Sequence, residues 1–584
     1  MNTSRASIRR NNQLRLLRLR YLILILSVVL ILGGTVTASE VQGGLGTVAA
    51  TEVDFHAADG SNIHATLQKP VYATASAPLP GVVVIHGVIQ SKEWLMAFGI
   101  EIARRGFVVL TIDANGHGDS DAGTGSGAAA LTYLAALSYV NSSALGIIGH
   151  SMGGGIAWSA IQTSGITVNA FVVVGSGVSA ANATYPRNLL VEVGQFDSLS
   201  SYPRNLTLLN TAFGVTNVQP GITYGDFNAG TARKIVIART NHLFETIDPV
   251  IISESVEWMK DSLKGGAEDS HWLPKTDLIY TYWLFGGFVG LLGAMLSIFP
   301  ILAILFDIPS FAILKHQPSS EYAASTKSYL GLGLVYGAIG LGTFFPLLAI
   351  GSLLELVLPS PGDFGLAVST WILGSALIAL LVLHLLRNRA KPGFAIKALA
   401  SIDGGNEGAV RRFMRTLLVA LGVVAWLYAW TALVDLGLAL DIRCFLPGLN
   451  LLTPSRALIF PLFSGVFFIY FLVDGMWLMG ILRTGSGGSW KLTQAKWTLK
   501  AMFIKCILYF AVIATEYGVG LATGMPILGG LLGFSLLFFY AFVPYFAMST
   551  VITAWGYRLT SHYYLGAMLN ALLFAWVLAA ALPL

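Results

Sequence analysis

The chain has 584 residues, of which 55% are hydrophobic and only 11% are charged, whereas an ordinary soluble domain contains roughly 25% charged residues. This composition excludes a purely soluble protein, and it excludes disorder, which requires low hydrophobicity and high charge. Two cysteines exclude a disulfide scaffold. The formal net charge of +5 gives no reason to expect a nucleic-acid partner.

The N-terminal region has a basic segment at 1–20 and an apolar segment at 21–38. The apolar segment is long for a signal peptide and just long enough to span a bilayer. We therefore predict a transmembrane signal anchor behind a cytoplasmic N-terminus, with cleavage near Val36-Thr37-Ala38 as the alternative. The basic segment contains no acidic residue and six arginines, namely Arg5, Arg9, Arg10, Arg15, Arg18 and Arg20.

Residues 45–268 read as a globular domain in which short β-branched runs alternate with helical patterns. This alternation predicts a mostly parallel sheet flanked by helices. Two earlier runs, near 47–56 and 62–68, are consistent with an antiparallel start. The predicted buried strands are Val82–Ile85, Val108–Ile112, Leu145–Ile148, Ala170–Val174, Leu189–Val193 and Lys234–Ala238.

One predicted strand leads directly into Gly149-His150-Ser151-Met152-Gly153, and a helical pattern follows. A G-x-S-x-G motif between a strand and a helix is typical of a nucleophile held on a sharp turn, where larger neighbours would clash. Such a turn presents the serine hydroxyl at the carboxyl end of the strand. We therefore predict that Ser151 is a nucleophile; the alternative is a glycine-rich turn with an idle serine.

With this motif in its context, residues 47–265 resemble the α/β-hydrolase superfamily, in particular its dienelactone-hydrolase-like and serine-aminopeptidase- or esterase-like branches. The resemblance implies an α/β-hydrolase fold. It also implies an oxyanion hole, in which the backbone N–H groups of Val88 and Met152 hold the developing oxyanion. Val88 follows Ile85-His86-Gly87 after a predicted strand, as the oxyanion loop of the family does.

The resemblance further implies a catalytic acid and a catalytic histidine. Asp197 follows a strand in Gly194-Gln195-Phe196-Asp197, and His242 follows the last strand in Asn241-His242-Leu243. The chain order of Ser151, Asp197 and His242 is the one expected of this fold. An imidazole can take the serine proton and return it to the leaving group, while a carboxylate fixes the tautomer of the imidazole.

Other residues compete for these roles. Asp226 is the rival acid, although Asp197 is preferred because it directly follows a strand. The rival histidines are His86, His117 and His150, each inside a motif where a packing or bracing role suffices. The segment 113–120 resembles the D-x-R-G-H-G-x-S segment of the family, but Asn115 replaces the arginine. No zinc-type spacing and no phosphate loop occurs, so we expect neither a metal nor another cofactor.

Beyond residue 275, apolar runs separated by short polar breaks predict a polytopic membrane domain at 275–584 with about eight helices. Lys and Arg cluster in the loops at 306–328, 387–415, 483–502 and 553–563, whereas the intervening loops at 358–364 and 441–456 contain only Arg443 and Arg456. By the positive-inside rule, the globular domain is extracytoplasmic. The predicted spans are 278–305, 329–357, 365–386, 416–440, 457–482, 503–523, 526–550 and 564–583.

Several ionisable residues fall within the predicted spans. Charges at bilayer depth are costly and usually face a bundle interior or a watery cavity. One interpretation is an ion or substrate pathway, and the other is interhelical hydrogen bonding or a position near the membrane surface. The residues are Glu355, His384, Asp435, Asp474 and Glu516.

Together these features predict a multi-pass protein of the cell membrane with an extracytoplasmic serine hydrolase domain. It would cleave an ester, thioester or amide of a small-molecule or lipid-like acyl substrate through an acyl-enzyme. Two alternatives stay open: a serine peptidase, and a transporter, channel or sensor whose hydrolase-like domain only binds ligands. An outward loop such as 441–456 could roof the pocket.

Overall fold

The computed structural model describes the chain except for residues 1, 179, 201, 317–324, 361, 391–407, 444, 446–447 and 485–489. The positively charged loops predicted at 306–328, 387–415 and 483–502 therefore lie partly outside the described residues. The chain divides into two compact units. The first comprises Met1–Thr35, Gly287–Val512 and Phe539–Ala580, and the second comprises Val36–Gly286, Ile513–Phe538 and Ala581–Leu584.

The second unit contains an eight-stranded sheet with the order β1-β2-β4-β3-β5-β6-β7-β8. β1 pairs antiparallel with β2, and β2 pairs antiparallel with β4, while all other neighbours are parallel. The predicted mostly parallel sheet is confirmed. The strands are β1 (Val48–His56), β2 (Asn62–Pro70), β3 (Leu79–Ile85), β4 (Val108–Ile112), β5 (Val140–His150), β6 (Ala170–Val174), β7 (Leu189–Gly194) and β8 (Arg233–Ala238).

Helices cover this sheet, and the central strands are buried because both of their faces are covered. Alternate residues of β3, such as Val83 and Ile85, join the hydrophobic core that includes Leu131 and Ala157 of the covering helices. The helices that follow the first one are α2 (Met96–Ala103), α3 (Ser126–Ala136), α4 (Met152–Thr163), α5 (Tyr202–Phe213) and α6 (Pro249–Leu263), with short 3-10 helices at Gly44–Gly46, Lys92–Leu95 and Phe244–Ile247.

Nearly all of the remaining helices are apolar and long. Within the described residues, nine helices are long and apolar enough to cross a membrane, as the sequence predicts. The first helix runs without interruption from the basic segment through the apolar one. The helices are α1 (Asn2–Gln42), α7 (Tyr280–Leu305), the short α8 (Pro309–Ala312), α9 (Thr326–Glu355), α10 (Gly365–Ala390), α11 (Ala409–Leu438), α12 (Pro454–Gly475, continued by a π-helix to Ile481), α13 (Trp490–Thr523), α14 (Gly530–Thr560) and α15 (Tyr564–Ala581).

The ionisable residues inside the apolar helices have different partners. Asp474 of α12 is buried, accepts a hydrogen bond from Tyr336, and pairs with Lys505 of α13 at 2.8 Å. Glu355 instead accepts the N–H of Leu366 at 2.9 Å, at the start of α10. The Glu355 contact matches the interpretation as interhelical bonding near a helix end, whereas Asp474 belongs to a buried ion pair.

Candidate active site

Ser151 lies on a sharp turn between β5, which ends at His150, and α4, which begins at Met152. Its φ is 54° and its ψ is −119°, an unusual conformation for a residue with a side chain. Glycine is required on both sides, because a Cβ on Gly149 would overlap the carbonyl of Gly153, and a Cβ on Gly153 would overlap the carbonyl of Ile85. The two glycines of the motif thus make the turn sterically possible.

Three side chains distant in sequence meet at the carboxyl ends of the strands. Ser151 Oγ lies 2.9 Å from His242 Nε2, and His242 Nδ1 lies 3.1 Å from Asp197 Oδ2. His242 and Asp197 are buried, whereas Ser151 is partly exposed. The serine hydroxyl can therefore give its proton to Nε2 while Nδ1–H is held by a carboxylate.

The acid loop, residues 194–200, follows β7 and keeps Asp197 ionised. The N–H of Leu199 donates to Asp197 Oδ1 at 2.7 Å. Burial raises the pKa of Asp197. The charge and hydrogen bond of His242 and the backbone N–H groups lower this pKa by more than burial raises it, so the net shift is downward. Asp197 is thus a carboxylate at neutral pH.

Sequence reasoning missed one buried carboxylate at this site. Glu245 lies in the short helix three residues after His242, and its Oε2 is 3.4 Å from His242 Nδ1. Burial lowers the pKa of His242, but Asp197 and Glu245 together raise it to about 10. The signal that could have found Glu245 is an acidic residue one helical turn after the histidine.

The loop after β3 contacts the serine turn, as an oxyanion loop must. Gly87 comes so close that an added Cβ would lie 3.1 Å from the Cβ of Ser151 and 3.0 Å from His150 Nδ1. Val88 follows Gly87 in this loop, and Met152 is the first residue of α4. Both residues predicted for the oxyanion hole are therefore in segments that contact or follow Ser151.

The rival residues have other partners. Asp226 accepts the N–H of Ala229 at 2.8 Å in a surface turn. His86 accepts the N–H of Ala114 at 3.0 Å, and its other ring nitrogen lies 2.7 Å from the carbonyl of Gly87. Burial, with His117, lowers the pKa of His86 to about 4. His86 is thus a neutral imidazole that links the loop after β3 to the loop after β4.

Asn115, which stands where the family has arginine, has a local structural role. Its Nδ2 donates to Ser61 Oγ at 2.9 Å, and its Oδ1 accepts the N–H of Ser126 at 2.8 Å. Ser126 is the first residue of α3. Asn115 therefore ties the loop after β4 to a helix start.

In the described part of the chain, one group of side chains has the spacing of metal ligands, formed by His150, His242 and Glu245. These side chains already have partners. His242 faces Ser151 with one nitrogen and Asp197 with the other, and His150 Nε2 lies 3.1 Å from the backbone carbonyl of His242. The group is therefore a hydrogen-bonded part of the site.

The acid loop also contacts a helical hairpin in the same compact unit, residues 513–538, formed by the end of α13 and the start of α14. The rings of Phe196 and Tyr517 have centroids 5.4 Å apart. The N–H of Gly530 donates to the carbonyl of Ser198 at 3.2 Å. The segment at 441–456, which the sequence suggested as a roof, lies in the other unit.

Comparison with known proteins gives a family match for part of this domain. Residues 76–201 match the family model described as serine aminopeptidase, S33. No curated protein matches the chain.

Among solved structures, an esterase from Pyrococcus furiosus is similar at 14% identity, with 37% of this chain and 94% of that chain covered and a TM-score of 0.28. A predicted CIB-like hydrolase from Thermoplasma acidophilum is similar at 14% identity, with 37% and 99% covered and a TM-score of 0.29. A hypothetical protein from Pseudomonas aeruginosa is similar at 16% identity, with 37% and 94% covered and a TM-score of 0.29.

These structural likenesses are too low to support an argument about activity, so the assignment depends on the sheet and the family model. The strand order, with the serine turn directly after β5, is that of the α/β-hydrolase fold. The chain therefore contains a domain with the α/β-hydrolase fold, in which residues 76–201 are similar to the serine aminopeptidase family S33, joined to a set of membrane-length apolar helices.

Proposed function

We propose that the protein is a membrane-anchored serine hydrolase that cleaves an ester, thioester or amide by way of an acyl-enzyme on Ser151. The observation that carries this proposal is the pair of contacts on His242, 2.9 Å to Ser151 Oγ and 3.1 Å to Asp197 Oδ2. A domain that only binds ligands has no need of a nucleophile, a base and an acid in this order.

In the proposed reaction, Ser151 Oγ attacks the substrate carbonyl and His242 Nε2 takes the hydroxyl proton. The carbonyl oxygen becomes an oxyanion, which the N–H groups of Val88 and Met152 stabilise. His242 then gives its proton to the leaving alcohol, thiol or amine, and an acyl-Ser151 forms. A water molecule then attacks the acyl carbonyl while His242 takes a proton from the water. His242 returns this proton to Ser151 Oγ as the carboxylic acid product leaves. Asp197 stabilises the imidazolium throughout.

A fluorophosphonate probe tests the nucleophile in the full-length protein in detergent. We expect the wild type to be labelled and Ser151→Ala to lose labelling, because only an activated serine reacts. Ser143→Ala is the matched control, since Ser143 is exposed on a different part of the domain. Folded wild-type protein that is not labelled would contradict the proposal and favour a ligand-binding domain.

Two features of the chain favour different leaving groups and acyl chains in the substrate. The family match favours an amide or peptide substrate, whereas the contact between the acid loop and a hairpin of two membrane-length helices favours a lipid-like acyl ester. We propose the acyl ester, because the hairpin joins the catalytic unit to helices that can lie in lipid. A higher kcat/KM for aminoacyl amides than for long-chain esters in nanodiscs would instead identify a peptidase.

We further propose that the catalytic domain is extracytoplasmic. The support is the concentration of Lys and Arg in the loops at 306–328, 387–415, 483–502 and 553–563, which the positive-inside rule assigns to the cytoplasm. An even number of spans between these loops and the domain would contradict this orientation. One span, α7, separates the domain from the first of these loops.

A further inference from the structure

Two carboxylates face the same nitrogen of the proposed catalytic histidine. Asp197 Oδ2 lies 3.1 Å from His242 Nδ1, and Glu245 Oε2 lies 3.4 Å from it. Both carboxylates are fully buried. Burying an unpaired carboxylate costs free energy, so the presence of Glu245 beside Asp197 requires a compensating interaction or a function.

The surrounding backbone is built to hold Glu245 in this position. Its Oε1 accepts the N–H of Gly194 at 2.6 Å, at the start of the acid loop. Gly175, at the end of β6, has a φ of 56°, and an added Cβ there would overlap Glu245 Oε2. Glu245 thus connects the acid loop with the segment that carries His242, and a glycine leaves the room for it.

Glu245 Oε2 lies between two imidazoles. It is 3.3 Å from His150 Nε2 and 3.4 Å from His242 Nδ1, without a well-aligned hydrogen bond to either. A small rotation of either partner would therefore allow Oε2 to accept Nδ1–H of His242. This freedom distinguishes Oε2 from Oε1, which is held by the Gly194 N–H.

The charges around the site are those that stabilise an imidazolium. The titratable groups that face His242 are Asp197 from the acid loop, Glu245 from the short helix, and His150 beside the nucleophile. Burial, together with His242, lowers the pKa of His150, so His150 adds no positive charge at neutral pH. Asp197 and Glu245 outweigh burial and raise the pKa of His242 to about 10.

We propose that Glu245 is a second acid of the triad, a positioning residue that, together with Asp197, orients His242 and stabilises the imidazolium that forms when Nε2 takes the serine proton. The proposal rests on the proposed hydrolase function, because it assigns Glu245 to the proton transfer between Ser151 and His242. Glu245 would keep the proton on Nδ1, which leaves Nε2 free to accept the serine proton. It would also take over the contact with Nδ1 when Asp197 is removed.

The test is the pH dependence of kcat/KM on one ester, measured with the full-length protein in detergent. We expect Glu245→Gln to lower the apparent pKa of the acid limb by about one unit or more, because a nearby opposite charge shifts a pKa by roughly 1–3 units. Glu257→Gln is the matched control, since Glu257 pairs with Lys260 away from His242; its acid limb should stay in place.

A second comparison separates positioning from a purely structural role. The kcat/KM of Asp197→Asn should be about tenfold or more above that of the double variant Asp197→Asn/Glu245→Gln. Only the single variant keeps a carboxylate next to Nδ1. Tenfold corresponds to one pKa unit. A structural role would lower the amount of active enzyme and leave the acid limb unchanged.

The proposal is overturned if folded Glu245→Gln has the wild-type acid limb, or if the single and double variants are equally inactive. If the wild type hydrolyses no substrate and binds no fluorophosphonate, the proposed hydrolase function is wrong. The effect of Glu245 on the protonation of His242 can then still be measured. Titration of His242 by NMR with 15N-labelled histidine then shows whether Glu245→Gln lowers the His242 pKa. A lower pKa supports the second acid, and an unchanged pKa overturns it.

Discussion

At the scale of single residues, the site depends on glycines as much as on its reactive side chains. Ser151 has a positive φ because the chain must turn from β5 into α4 within one residue. Gly149 and Gly153 allow the two segments to approach, and Gly175 leaves room for Glu245. The reactive groups are therefore placed by backbone positions that accept no side chain.

Gly153 and Gly155 provide a matched pair that tests this steric argument. A Cβ at Gly153 would overlap the backbone of Ile85, whereas a Cβ at Gly155 would meet nothing within 4 Å. We expect Gly153→Ala to destabilise the domain by more than about 4 kcal/mol, since no flexible side chain can move aside. Gly155→Ala should stabilise α4 by about 0.5–1 kcal/mol.

Thermal unfolding of both full-length variants in detergent measures this difference. The expected order of melting temperature is Gly155→Ala at or above the wild type, and Gly153→Ala well below it. Equal melting temperatures for the two variants would mean that the serine turn relaxes without cost, and that its glycines are not required.

At the scale of elements, the acid loop is supported by a helical hairpin that lies more than 300 residues later in the sequence. Phe196 is next to Asp197, and its ring contacts α13 at Gly520 and Tyr517. Ser198, on the other side of Asp197, contacts the start of α14 at Gly530 and Gly533. The position of the acid thus depends on an element outside the predicted globular segment.

Gly520 and Gly518 of α13 test this support. A Cβ at Gly520 would lie 3.1 Å from Phe196, whereas a Cβ at Gly518 would meet nothing within 4 Å. We expect Gly520→Leu to displace the acid loop and to lower kcat/KM by about 10- to 100-fold, because small errors in catalytic geometry are costly. Gly518→Leu is the control.

The measurement is kcat/KM on a short-chain, water-soluble ester, so that a change in lipid contact does not enter. Gly518→Leu should match the wild type, since it adds the same apolar side chain to the same helix. Similar losses in both variants would point to a general effect on α13, and wild-type activity in Gly520→Leu would exclude a role of the hairpin.

At the scale of the whole molecule, the arrangement of charge along the chain decides the proposed orientation. Lys and Arg are concentrated in alternate loops along the chain, and loops rich in these residues stay in the cytoplasm. The basic N-terminus has the same preference. Both features favour an extracytoplasmic catalytic domain independently of its fold.

Accessibility of single cysteines tests this orientation. With Cys444 and Cys506 replaced by serine, an impermeant thiol reagent should label Ser143→Cys on intact cells, because Ser143 is exposed on the α/β-hydrolase domain. Lys315→Cys, exposed after α7, should be labelled only after the membrane is opened. The reverse pattern would place the catalytic domain in the cytoplasm.

Local patterns were sufficient to predict the strands, the apolar helices and the serine turn. β-branched runs such as Val108–Ile112 form buried strands because both faces are covered, and apolar runs form helices because each satisfies its own backbone hydrogen bonds. The G-x-S-x-G motif predicted the turn because its geometry depends on residues adjacent in sequence. Local physics therefore decides these elements.

Long-range contacts were not predictable in this way. The sequence by itself determined the fold class, the set of membrane-length helices and the order of Ser151, Asp197 and His242. Each of these depends on local composition or on spacing along the chain. Only the tertiary structure brought Glu245 to the imidazole and the hairpin at 513–538 to the acid loop. Such contacts depend on how distant segments pack, and no short stretch of sequence contains that information.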